Sequence, residues 1–199
     1  NINTVDTPAV LVFPERMQEN ILLLKKTVGD VQRLRPHIKT SKMIEAVQLL
    51  MEEGINKFKC ATIAEAEMLG LAGAADVLLA YQPVGPKISR LLQIVEQYPD
   101  TTYSCLVDNR TAAMAIAALF LAAQRTIPVY LDLNIGMNRT GIPAGDAALE
   151  LYQELQHMPG IKPVGLHAYD GHLHDTDVAL RREKCDAGFA PVATLAAAI

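Results

Sequence analysis

The sequence predicts an α/β domain built on parallel strands, and three observations carry that reading. Short β-branched or apolar runs alternate with stretches of helical period. Six of those runs recur every twenty to thirty-five residues or so, at about the spacing of strand–helix units. No Gly-x-Gly-x-x-Gly loop follows the first of them, which argues against an open, doubly wound nucleotide-binding sheet and for a (β/α)8 barrel.

Taken in order, an isolated run at Ala9–Phe13 precedes strand candidates at Arg33–Lys39, Lys57–Ala61, Asp76–Tyr81, Thr102–Val107, Pro128–Asn134 and Lys162–Ala168. Helices are expected between them at Glu15–Val28, Lys42–Glu53, Ile63–Ala72, Pro86–Gln97, Asn109–Ala123 and Ala144–His157. Thr62-Ile63-Ala64-Glu65 has the form of a capping box, and Gly54, Gly73 and Gly160 stand where helices should stop. Such barrels need ~250 residues, whereas this chain has 199. The chain is therefore expected to be a piece of a longer protein, interrupted before the seventh and eighth strands. The apolar, helix-like ending Ala190–Ile199 and the lack of an initial Met support that expectation.

Half of the residues are apolar, a fifth are charged and the net charge is -4, which suits an ordinary globular core rather than a disordered chain. No basic stripe is present to neutralise a nucleic acid. No run reaches membrane-spanning length, because Gln124 and Arg125 end the apolar stretch Ala112–Ala123, which reads as a buried helix. The three cysteines, Cys60, Cys105 and Cys185, are widely spaced and read as reduced core thiols of a cytoplasmic protein.

In a barrel of this kind chemistry sits at the C-terminal ends of the strands. Lys39 ends the first barrel strand, where a charged side chain would be expensive unless used; a solvated loop lysine is an equal reading on position alone. Gly136-Met137-Asn138-Arg139-Thr140-Gly141 sets a guanidinium between glycines, suited to an anionic oxygen on a flat ligand or, equally, to a structural ion pair. His167-Ala168-Tyr169-Asp170-Gly171-His172-Leu173-His174 is dense in ligating side chains but lacks metalloprotease spacing. Strand alternation turns His167 and Tyr169 to the same side.

Thr7-Pro8-Ala9, Arg35-Pro36-His37-Ile38-Lys39-Thr40, Cys60-Ala61-Thr62-Ile63-Ala64-Glu65-Ala66, Gly136-Met137-Asn138-Arg139-Thr140-Gly141 and Tyr169-Asp170-Gly171-His172 together resemble the D-threonine aldolase and D-serine dehydratase family of alanine racemase-like, fold-type III pyridoxal enzymes. The resemblance implies a pyridoxal 5′-phosphate (PLP)-binding barrel, formed here by residues 15–199, with residues 1–14 joining a β domain made mainly by missing C-terminal residues. It implies that Lys39 carries PLP as a Schiff base and acts at Cα, with His37, Thr40, Arg139 and Tyr169 at the cofactor and His172 near the substrate hydroxyl. A divalent metal, Mn or Zn, with ligands outside this chain, a phosphate loop also outside it, and a homodimer are implied as well. The expected activity is retro-aldol cleavage of D-β-hydroxy-α-amino acids. The alternatives are a D-serine or D-3-hydroxyaspartate dehydratase and a PLP-homeostasis protein without turnover.

Overall fold

The computed structural model describes residues 2–199. Along the described residues, helices α1 (Pro14–Val28) and α2 (Ile44–Glu52) come first. Strands and helices then alternate: β1 (Lys57–Cys60), α3 (Ile63–Leu71), β2 (Asp76–Leu79), α4 (Pro86–Gln97), β3 (Thr102–Val107) and α5 (Arg110–Ala122). After β4 (Ile127–Asn134) come the two-residue β5 (Ile142–Pro143), α6 (Asp146–Gln156), β6 (Ile161–Ala168) and α7 (Val178–Ala198). The strands form one six-stranded sheet in the order β1-β2-β3-β4-β5, with β6 pairing β4. Every pairing is parallel. The sheet does not close into a barrel within these residues, and its α/β class is the one the periodicity predicts.

A parallel strand presents successive side chains to opposite faces. Towards the helices point Phe58 and Cys60, Val77 and Leu79, Cys105 and Val107, and Val129, Leu131 and Leu133, all buried in one core cluster. Helix α5 adds Ala113, Ile116, Ala117 and Phe120 to that cluster, as expected of a buried helix. Lys59, Asp132 and His167 occupy the opposite, inner face, and Asp132 stands opposite His167 in the register of β4 and β6.

Local signals explain several boundaries. Thr62 caps α3 by accepting from the backbone N–H of Glu65 at 3.1 Å. The Glu65 carboxylate returns to the N–H of Ala61 at 2.7 Å, one residue before the cap. Asn109 caps α5 through Ala112 N–H at 2.9 Å, so that helix starts one residue later than expected. Gly160 has φ +94 and a Cβ there would collide with the backbone of Ala117, so the turn into β6 requires glycine.

One expected barrel strand is not formed. Arg33–Lys39 was expected to be the first barrel strand, but its ends are short 3-10 turns, Val31–Arg33 and Ile38–Thr40. Between them only His37 bridges to Lys59, and Pro36 accepts from Lys59 N–H at 2.8 Å. Pro36 lacks an N–H to return, so the ladder does not extend through it. Ala9–Phe13 is exposed and unpaired within the sheet. Strand β5 and the full length of α7 were not expected; Val192 and Leu195 of α7 reach the main core.

Phe120 is fully buried, so Phe120→Ala leaves a cavity and should lower unfolding free energy by about 3–5 kcal/mol in urea titration. Burial pushes the Cys105 thiol up to about 12, and Cys60 rises further for the same reason. A thiol-specific disulfide reagent should therefore label Cys185 alone in the native protein at pH 8 and all three cysteines after denaturation.

Candidate active site

The segment before α2 is fixed to the sheet by charge. The Arg35 guanidinium bonds both carboxylate oxygens of Asp76, at 2.6 and 2.8 Å. Ile38 is buried at 3% exposure and pins the following turn, whose N-cap is His37: its Nδ1 accepts from the N–H of Lys39 at 3.2 Å. The side chain of Lys39 is thus delivered from a backbone held on both sides. Lys42, itself exposed, turns away to pair with the buried Glu65 at 3.5 Å.

The loop after β4 is equally constrained. Asn134 Oδ1 accepts from the N–H groups of Gly136 and Asn138, both at 3.1 Å. Asp108 accepts from Gly141 N–H at 3.1 Å. Gly141 has φ +93, and a Cβ there would lie 2.6 Å from backbone atoms of Leu133 and Asn134, so the loop can lie this close to β4 only with glycine. Arg139 is carried between these ties, with its guanidinium 5.3 Å from the centre of the Tyr169 ring.

From the end of β6, His167 and Tyr169 both face the cleft, as alternation predicts. His167 Nδ1 lies 2.6 Å from Asp132 Oδ1, and its Nε2 lies 3.0 Å from the Lys59 ammonium. The imidazole therefore donates to the carboxylate and accepts from the ammonium, in a chain Lys59–His167–Asp132 along the floor. Burial lowers the proton affinity of Lys59; Asp132 opposes that shift, and Arg35, Lys39 and Arg139 reinforce it. His37 is also shifted down, first by burial and then by Lys39 and Lys59.

These groups enclose a cavity of about 210 Å³ lined by Arg35, His37, Lys39, Lys59, Arg139, His167 and Tyr169. It shares His37, Lys39 and Arg139 with a larger one of about 530 Å³ that extends to Tyr81, Gln82 and Asp108. Of the residues expected at the cofactor, His37, Lys39, Arg139 and Tyr169 come together on one cleft. Thr40 is exposed on the turn behind Lys39 and lines neither cavity. His172 also lines neither; it packs against Gly136, where a Cβ would meet its Nε2 at 2.8 Å.

Lys59 and Asp132 were not anticipated, nor was the tie of Arg35 to Asp76. Their signal was present in the sequence. Lys57 and Lys59 alternate with Phe58 and Cys60, and Asp132 lies between Leu131 and Leu133, so in each strand charge falls on the face opposite the apolar one.

With that geometry in place, comparison with known proteins identifies the domain. The family model of the alanine racemase N-terminal domain matches residues 13–198. The chain belongs to this family. A D-threo-3-hydroxyaspartate dehydratase of Delftia sp. (strain HT23) is 31% identical over 177 residues, covering 87% of this chain and 46% of that protein. A D-threonine aldolase of Arthrobacter sp. is 28% identical over 172 residues, covering 85% and 44% respectively. The crystal structure of D-threonine aldolase from Filomicrobium marinum superposes with TM-score 0.89 at 29% identity, over 98% of this chain and 52% of that one. This alanine racemase N-terminal domain thus spans about half the length of the curated relatives it matches. No helix among the described residues is long and apolar enough to cross a membrane.

The geometry of the loop carries its own test. Gly141→Ala adds a methyl group at positive φ against backbone, and should destabilise the domain by roughly 1–3 kcal/mol in thermal or urea unfolding.

Proposed function

We propose that this domain binds PLP through Lys39 and serves, in its full-length protein, as a lyase for D-β-hydroxy-α-amino acids, cleaving them by a retro-aldol reaction to glycine and an aldehyde. One observation carries the reading: the amine of Lys39, the guanidinium of Arg139 and the ring of Tyr169 meet on one cleft, the first two from segments tied by hydrogen bonds. The named activities of the dehydratase and aldolase relatives support it.

The residues present fit the cofactor. A flat, anionic, hydrogen-bond-accepting group requires an amine to bond it, a guanidinium donor and an aromatic wall, and the cleft supplies all three. Its surplus of Arg35, Lys39, Lys59 and Arg139 suits an anion. When bound, PLP withdraws electrons from the substrate bond at Cα that stands perpendicular to its ring. Lys39 would hold it and then move a proton at Cα, Arg139 would donate to its phenolic oxygen, and Tyr169 would flank its ring. His37 holds the Lys39 backbone, and His172 supports the Arg139 loop from behind Gly136. On the family resemblance, the divalent metal would take its ligands from residues outside this chain. A homodimer is proposed on the same resemblance.

A dehydratase is the second reading, favoured by the 31% identity to the hydroxyaspartate enzyme and by a cation-rich cleft that could accept a second carboxylate.

Sodium borohydride reduction of the PLP-loaded full-length protein should fix the cofactor on the peptide containing Lys39, as read by mass spectrometry. Lys39→Ala should lose this adduct and reduce turnover by about 10²–10⁴-fold or more. Assays on D-threonine and on D-threo-3-hydroxyaspartate, with and without manganese or zinc, separate the two chemistries. Glycine and acetaldehyde from the first substrate mark the aldolase, and oxaloacetate and ammonia from the second mark the dehydratase. An adduct on a different lysine defeats the assignment.

A further inference from the structure

Lys59 is a half-buried cation to which no individual role was assigned above beyond its positive charge, although it shares the cavity wall with Lys39. Its position on β1 is set by alternation, with Phe58 and Cys60 turned into the core and Lys59 turned inward. Its ammonium lies 3.0 Å from His167 Nε2 and 5.8 Å from the centre of the Tyr169 ring. Arg139 approaches the same ring at 5.3 Å, so two cations converge on one aromatic wall. Asp132, almost buried, anchors the far side of His167 at 2.6 Å.

We propose that Lys59 is a positioning residue of the cleft: it donates to Nε2 of His167, holds the imidazole in the form whose Nδ1–H bonds Asp132, and supplies positive charge to the wall it shares with Lys39. The arrangement follows from hydrogen-bond inventory. An ammonium has donors only and a carboxylate acceptors only, so an imidazole bridging them has a single tautomer that satisfies both. His167 is thereby fixed beside Tyr169 without free rotation, and the cleft floor stays polar and rigid under any bound ring. The ammonium is also held where a buried charge acts strongly on neighbouring protons.

The charged and titratable groups around Lys59 come from every packed element. The segment before α2 brings Arg35, His37 and Lys39, and β2 brings Asp76, which is committed to Arg35. Strand β4 brings Asp132, the following loop Arg139, and the end of β6 His167 and Tyr169. Helix α3 brings Glu65, which faces His37 and is tied to Lys42 and the N–H of Ala61, and Asp108 lines the adjoining cavity. Asp132 is the carboxylate that acts on Lys59, which meets it through His167.

The inference rests in part on PLP being carried by Lys39, and its test has an arm that does not. In the PLP-loaded full-length protein, the pH titration of the cofactor's visible absorbance is compared for wild type, Lys59→Met and Lys59→Arg. Loss of the cation in Lys59→Met moves the midpoint up by about one pH unit, because protonation nearby is no longer opposed. Lys59→Arg keeps the charge and returns the midpoint to near the wild-type value. In the cofactor-free protein with ¹⁵N-labelled histidine, wild-type His167 shows a protonated Nδ1 and a hydrogen-bonded Nε2. In Lys59→Met the Nε2 resonance moves towards that of a free ring nitrogen. Lys59→Gln replaces Lys59→Met if the latter does not fold. An unchanged midpoint without the charge, an equal displacement in Lys59→Met and Lys59→Arg, or an unmoved Nε2 resonance overturns the proposal. Borohydride trapping away from Lys39 defeats the cofactor assignment, while the His167 resonances still decide the role of Lys59.

Discussion

The two-residue alternation of parallel strands is the constraint on which this domain depends. One face of each strand must be apolar to cover the helices, and that face is filled by Phe58, Cys60, Val77, Leu79, Cys105, Val107, Val129, Leu131 and Leu133. Burial of that face supplies the main driving force for folding, at about 25 cal/mol per Å² of apolar surface removed from water. The inner face is then free to carry groups that would be costly in a core. Lys59, Asp132 and His167 stand there, and they are tolerable only because each satisfies another.

Tethers at the strand ends convert that frame into a site. The Arg35–Asp76 pair is partly exposed, with side chains at 21% and 30% exposure, so it stabilises by roughly 1 kcal/mol or less. Its larger effect is positional, since two parallel N–H···O bonds leave a planar guanidinium little freedom. The Asn134 and Asp108 contacts do the same for the Arg139 loop. Two segments distant in sequence are thereby held to face each other before any ligand arrives, which reduces the ordering cost of binding.

The sequence carried the helical periods, the six-unit rhythm and the clustering of polar residues at strand ends, because these are local patterns. Lys39, Arg139 and Tyr169 were legible from their motifs and do meet on one cleft. What local pattern could not show was pairing. Arg33–Lys39 has strand-like composition, yet a ladder needs a partner with matching donors, and beside Lys59 the segment makes only one bridge. Thr40 and His172 are next to cleft residues in sequence and away from the cleft in space, because a 3-10 turn and a loop reversal separate them from Lys39 and Tyr169. The Lys59–His167–Asp132 chain joins three strand ends, separated by 108 and 35 residues, and only register reveals it.

Charge balance links this chain to the occupant of the cleft. Arg35 is neutralised by Asp76, and Asp132 serves Lys59 through His167. Lys39 and Arg139 share the larger cavity with Asp108 and Asp132, but Asp108 accepts from Gly141 N–H and Asp132 from His167. The mutual repulsion of Lys39 and Arg139 with Lys59 is consistent with the reduced proton affinity of Lys59, for which burial is the leading cause. An anion entering between them stabilises the folded state twice, once by its own contacts and once by relieving that repulsion. An anion held there as proposed would be favoured while Lys59 is protonated and less so once it loses its proton. On the proposed function, a cation that does not touch the ligand would thus help to set how tightly the ligand is held.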